Sequence, residues 1–219
     1  MIEAFFYYFI AMILAGMEIE MEGKYGWAER IPTPYIVEGR IARIWAYFQG
    51  GRPLTVYHIY TTLLTLLIAH IPFAGILFSQ GMEWSLGKEL AVLSMFFVWV
   101  ATWDFLWFVL NPYYGIRNFK RDKIWWHSKR KWIKGLFPKD YLNAFLISAG
   151  LSIAASILND ESEIFVSYLI YVAIFIALLF VTIVFWAPIY MKWYVKIRSK
   201  DDREKANIFH PLSDCAGSN

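Results

Sequence analysis

From Glu89 to Asn111 the chain reads ELAVLSMFFVWVATWDFLWFVLN, and after Glu89 its only ionisable residue is Asp104. A membrane-spanning helix needs roughly 20 mainly apolar residues, and this run meets that length. Four other runs resemble it: Ile2 to about Met21, Leu54 to about Ser79, Tyr141 to Leu158, and Ile164 to about Tyr194, the last interrupted by Pro188. A bilayer interior offers no water to satisfy backbone N–H and C=O groups, so apolar runs of this kind must be helical. The predicted fold is therefore all-α: a polytopic integral membrane bundle of about five transmembrane helices, filling residues 1–199 as one domain.

Composition agrees with this class. The chain is 58% hydrophobic, against roughly 45–50% for soluble domains even with glycine counted. Eleven Trp and fourteen Tyr suit belts at the two membrane interfaces. The N-terminal run carries Glu3 and no Lys or Arg, whereas a secretory signal starts basic; it is read as a retained helix. A single cysteine, Cys215, excludes an internal disulfide and a cysteine-rich metal site.

Charge sets the expected orientation. Of the 21 Lys and Arg, all but Lys88 fall in three segments: 18–53, 112–140, and the stretch after Met191. Five spans put these three segments on one side, and basic loops mark the cytoplasm. The expectation is a multi-pass protein with its N-terminus outside and its C-terminus cytoplasmic. The acidic connection NDESE, from Asn159 to Glu163, would join the last two spans as a tight hairpin, and small residues in the fourth span permit close packing. Between the turns IPTP and QGGRP, residues 36–48 place Ile36, Val37, Ile41, Ile44, Trp45 and Phe48 near helical spacing. This segment is an amphipathic helix, either lying on the cytoplasmic membrane surface or packed against the rest of the protein. Residues 200–219 are polar and read as a flexible cytoplasmic tail.

The loop 117–139 alternates Lys and Arg with Phe and Trp. A polybasic, aromatic segment beside a span attracts anionic lipid headgroups. Nucleic acid binding uses similar chemistry, but a loop tethered to the bilayer favours lipid, so no nucleic acid is expected as a partner.

Within this frame, ionisable residues from distant parts of the chain come to a similar depth on the cytoplasmic side. Asp104 lies about 10 Å inside the end of its span, and His58 about 6 Å inside the end of its own, at 1.5 Å per residue. Glu18 and Glu22 close the first span there, one turn apart on one face, and His127 follows on the adjoining loop. Ionisable groups inside spans are costly and mark function. Carboxylates with imidazoles form the ligand set of iron, manganese or zinc, so Glu18, Glu22, His58, Asp104 and His127 are the candidate metal ligands, with Asp104 and His58 the candidate catalytic pair. Other readings stay open: Asp104 paired with an arginine or an indole, Glu18 and Glu22 as a solvated helix end, His58 bonded to a threonine. His70 is about 120° of helix rotation from His58 and belongs elsewhere, at the Pro72 kink.

Several classes are excluded. Four histidines are too few for the histidine boxes of membrane desaturases. Repeated aspartate motifs of prenyl or CDP-alcohol transferases are missing, as are Gly-x-Ser-x-Gly, His-Glu-x-x-His and a phosphate-binding loop. The functional expectation is a small membrane enzyme acting on a lipid or other hydrophobic substrate at the cytoplasmic face, through a metal or an acid–base set. The rivals are a proton- or cation-coupled transporter, or a non-catalytic subunit; a homodimer or a larger membrane complex would suit either.

Overall fold

The computed structural model describes residues 2–49, 51–74, 81–128 and 131–200. In chain order the elements are α1 (Ile2–Glu22), β1 (Tyr35–Ile36), α2 (Gly39–Phe48), β2 (Leu54–Thr55), α3 (Val56–Ala69), α4 (Ile71–Ala74), α5 (Leu86–Leu110), a 3-10 turn (Ile116–Asn118), α6 (Trp125–Ser128), β3 (Trp132–Ile133), β4 (Phe137–Pro138), α7 (Lys139–Asn159), α8 (Glu163–Val181), a π-turn (Thr182–Trp186) and α9 (Ala187–Arg198). The fold is all-α in class, with two minimal antiparallel ribbons, β1–β2 and β3–β4.

Four helices are long and apolar enough to cross a membrane: α1, α5, α7 and the continuous 36-residue rod Glu163–Arg198. The second expected span differs. Helix α3 has 14 residues, about 21 Å at 1.5 Å per residue, which falls short of a hydrocarbon core of roughly 30 Å. It stops at His70, two residues before Pro72, whose ring and missing N–H cannot continue a helix. Residues 75–79 of that expected span, and 201–219 of the expected tail, lie outside the described residues.

Even so, α3 joins the two ends of the bundle. At one end Tyr57 Oη donates to Glu18; at the other, His70 Nε2 lies 2.9 Å from Glu89 Oε1. Helices α1 and α5 therefore run parallel, since Asn111 Nδ2, just past α5, donates to Gly23 O, just past α1, at 2.8 Å. Helix α7 returns, and the rod α8–α9 descends again, bringing Arg198 to 3.9 Å from Glu20. The chain thus traverses the bundle's height five times, with α3 the short traverse.

Packing follows residue size. Helix α1 buries Ala4, Tyr8, Ala11, Ala15 and Ile19, a stripe at helical spacing whose alanines let α5 approach. Trp99 Nε1 donates to Tyr7 O across this contact at 2.8 Å. Helix α5 packs most extensively on α7, where buried Ser148 donates to Ser94 O at 2.6 Å. The α7–α8 connection is the tight hairpin expected, closed by Asp160 in the left-handed conformation. Pro188 does not break the last helix. The wide turn at Thr182–Trp186 immediately precedes it, and a π-turn takes up the displaced carbonyls that a proline leaves inside a helix.

Helix α2 carries the expected amphipathic pattern over a shorter range. Only Ala42 is buried, and Ile41, Tyr47 and Phe48 are exposed.

Candidate functional site

At the end of the bundle where α1 and α5 finish, the chain makes a tight turn after Glu22. Gly23, Gly26, Trp27 and Ala28 all take positive φ, a region costly for residues with a Cβ unless the surroundings hold it. Here they are held: Glu22 Oε1 accepts from Ala28 N at 2.5 Å. Trp125 Nε1 and Tyr114 Oη donate to Tyr25 O and Lys24 O, at 2.9 and 2.8 Å. The turn leaves Trp27 facing α3.

There Trp27 meets His58, ring centroids 4.5 Å apart at 30°, with Trp45 of α2 on the same imidazole at 5.7 Å. Arg52 lies over the Trp27 ring at 4.0 Å and donates to Gln49 O at 2.6 Å. Thr55 caps α3 by accepting from His58 N at 3.2 Å, and its Oγ1 is 2.6 Å from His58 Nδ1. His58 is thus both a cap-bonded and a stacked residue.

Asp104 lies on α5 opposite this group. Tyr141, in the first turn of α7, donates its hydroxyl to Asp104 Oδ2. His127 Nε2 is 4.0 Å from the same oxygen, an ion-pair distance when the imidazole is protonated. His127 is buried because Trp126 stacks on Phe108 at 5.7 Å and 19°, pulling the WWH segment into the bundle. Glu18 completes the ring of groups by accepting from Tyr57 Oη at 3.1 Å.

One cavity of about 890 Å³ is lined by all five predicted residues: Glu18, Glu22, His58, Asp104 and His127. The side chain of Asp104 is 45% exposed, and that exposed surface faces this space. From the polar end the cavity runs along α5 to Phe96 and Phe97, about 12 Å at 1.5 Å per residue over eight residues. Its sides are Thr61, Thr62 and Thr65 of α3, and Leu146 and Ile147 of α7. Leu146 and Ile147 are exposed on the bundle surface, so the cleft borders the region where lipid chains would lie.

The residues converge without forming the expected metal sphere. Among the described residues no three His, Cys, Asp or Glu stand close enough to hold a metal ion, and an iron, manganese or zinc set is not assembled from the five. The physical reasons are local: Glu22 is engaged by a backbone amide, His58 by its cap and two rings, and Asp104 by a tyrosine. His70 stays outside this site, as expected, and lies at the opposite end of the bundle, with Nδ1 2.6 Å from Leu66 O.

Sequence reasoning did not find Tyr57, Tyr141 or Arg52, whereas the glycine turn after Glu22 was expected to shape the site and to place Trp27 at the membrane interface. The signal for Tyr141 was its position in the first turn of a span that starts at the same end as Asp104. Tyr57 adjoins His58, which puts it a third of a turn away, toward α1.

Compared with family models, curated proteins and solved structures, the chain matches none.

Proposed function

We propose that this protein is a small membrane enzyme acting on an amphiphilic lipid-like substrate, whose polar group enters the carboxylate end of the cavity while its chain lies in the α3–α5–α7 cleft. The observation that carries the reading is the shape of that single cavity: ionisable groups at one end, and an apolar cleft about 12 Å long bordering exposed Leu146 and Ile147. Ligand sites combine apolar walls with a few convergent polar groups in this manner.

Asp104 is the general base or acid of the proposal. Tyr141 donates to one of its oxygens, and His127 stands at ion-pair distance, where a protonated imidazole would favour the charged carboxylate. His58, held by Thr55 and Trp27, positions the opposite wall. The acid–base version has stronger support than the metal version, because each carboxylate already has a hydrogen-bond donor and no metal-holding group of three forms among the described residues.

A transporter is the second reading. Against it, no described lining residue of α5 precedes Phe96, which leaves about 15 Å of α5 beyond the cavity. The test is to incubate the purified protein in nanodiscs with a total membrane lipid extract and follow the lipids by mass spectrometry. The proposal expects a lipid species converted by the wild type and unchanged by Asp104→Asn. No conversion, together with a proton or cation flux in vesicles that Asp104→Asn abolishes, would replace it with the transporter.

A further inference from the structure

We infer that α2 is embedded among the phospholipid headgroups at the cavity end of the bundle, with Ile41, Ile44 and Phe48 reaching the acyl chains and Arg40 and Arg43 the phosphates. Its seat in the leaflet is independent of the chemistry proposed at Asp104.

The residues Gly39–Phe48 divide into three faces. Ala42 and Ala46 are four apart and share one face. Ala42 is buried and Ala46 half-buried, so this small-residue face is the one turned to the protein. Ile41, Ile44 and Phe48, at spacings of three and four, form a second face, and they are 74%, 48% and 70% exposed. Arg40, Arg43 and Tyr47 repeat that spacing one position earlier, and all three are exposed. The apolar face of α2 is therefore not what holds it to the bundle. An exposed apolar stripe rimmed by basic residues is the pattern of a helix that lies in a membrane interface.

Position is an independent observation. Trp45 meets Trp27 at 6.4 Å and His58 at 5.7 Å, centroid to centroid. Trp27 follows the end of α1 closely and donates its Nε1–H to Pro53 O at 3.1 Å, and His58 lies in the first turn of α3. Helix α2 is thus fastened at the level where α1 and α5 finish. Spanning helices finish at the boundary between hydrocarbon and headgroups, where Trp and Tyr gather.

The side chains name the occupant. The guanidinium groups of Arg40 and Arg43 match phosphate oxygens, and their long stems reach the headgroups while the neighbouring face stays in the acyl region. Glu38 is the only acid between Tyr35 and Gln49. Water would leave three large apolar side chains unmatched, whereas a phospholipid leaflet meets both exposed faces at once. Trp45, Tyr47, Phe48 and Gln49 also line the cavity, so an embedded α2 brings the leaflet to its mouth.

The test uses the full chain in phosphatidylcholine nanodiscs, with Cys215, its single cysteine, replaced by Ser. Ile41→Cys, Ile44→Cys and Arg43→Cys each carry an NBD fluorophore on the new thiol. Bromine on the acyl chains should quench the labels replacing Ile41 and Ile44 several times more strongly than the one replacing Arg43, and iodide in the water should do the reverse. Iodide quenching all three alike overturns the inference and leaves α2 in water. Labels replacing Ile41 and Ile44 that are shielded from both quenchers overturn it in favour of a covering protein, a second copy or another partner. The wild type supplies a second measurement. A phosphatidylcholine with a diazirine on its acyl chain should mark residues 41–48 on irradiation, together with the spanning helices. Marks confined to the spanning helices overturn the inference even should a variant fail to fold.

Discussion

Gly26 is the residue against which the buried end of the WWH segment is fitted. Its φ is +70°, and a Cβ there would lie 2.3 Å from Trp126 Cη2, so the left-handed backbone and the missing side chain are both required. Gly26→Ala should lower stability by about 2 kcal/mol or more, since backbone strain and overpacking act together. Gly150, inside α7, meets nothing within 4 Å, and Gly150→Ala should cause no loss. Thermal unfolding of the two purified variants in detergent checks the contrast; equal midpoints would mean that Trp126 is not seated as described. The same scale shows what the sequence could and could not reveal. Asp104 was conspicuous because charge inside a span is rare, and helical phase together with the position of basic loops brought Glu18, His58 and His127 to its end of the bundle. Tyr141 was not conspicuous, being one of fourteen tyrosines in a chain where interfacial tyrosine needs no explanation. Its bond to Asp104 depends on how α7 sits on α5, which no local pattern encodes. Tyr141→Phe should therefore reduce any lipid conversion severalfold while leaving folded yield near wild type, as size-exclusion recovery would record.

Among the elements, α1, α5 and α7 were legible within three residues of their ends because apolar length is an unambiguous signal. Two features were not. The run Leu54 to Ser79 has the composition of a span, but its helix ends at His70, where the ring bonds Leu66 O and Glu89 and Pro72 follows. Pro188 reads as a helix stop, but the five-residue π-turn before it carries the helix through. That turn sets the rotation of α9 relative to α8, and so which face Tyr190, Tyr194 and Arg198 present to α1. Deleting Val184 should convert the turn to α-helix and rotate α9 by about 100°. In a background with Cys215→Ser, the pair Glu20→Cys and Arg198→Cys should be joined by a short bismaleimide. The deletion should abolish that link, and a link that survives would show that α9 is held by something other than the turn.

For the whole molecule, the five traverses bring the termini of the described chain to opposite ends of the bundle, and the three basic segments gather at the end that holds the cavity. A reporter placed after Asn219 should read cytoplasmic and one between Gly81 and Lys88 external; two reporters on the same side would refute the topology. Arg117, Lys120, Lys123 and Lys134 are exposed in the adjoining loop. Replacing the four with Gln should reduce co-purifying anionic lipid, at about 1 kcal/mol per base near the surface. Unchanged lipid content would count against that role.

The parallel course of α1 and α5 also has a consequence in time. Gly23 and Asn111, whose bond ties the two helix ends, are 88 positions apart. A ribosome adds roughly 5–20 residues per second, so about 4–18 s separate the two in synthesis. For most of that interval α1 is complete while α5 does not yet exist, and its alanine stripe lacks the helix it packs against in the finished bundle. The cavity is therefore a late product of biogenesis, and a nascent chain stalled before Leu86 should leave the alanine stripe of α1 uncovered by α5, open to whatever else can pack against small residues.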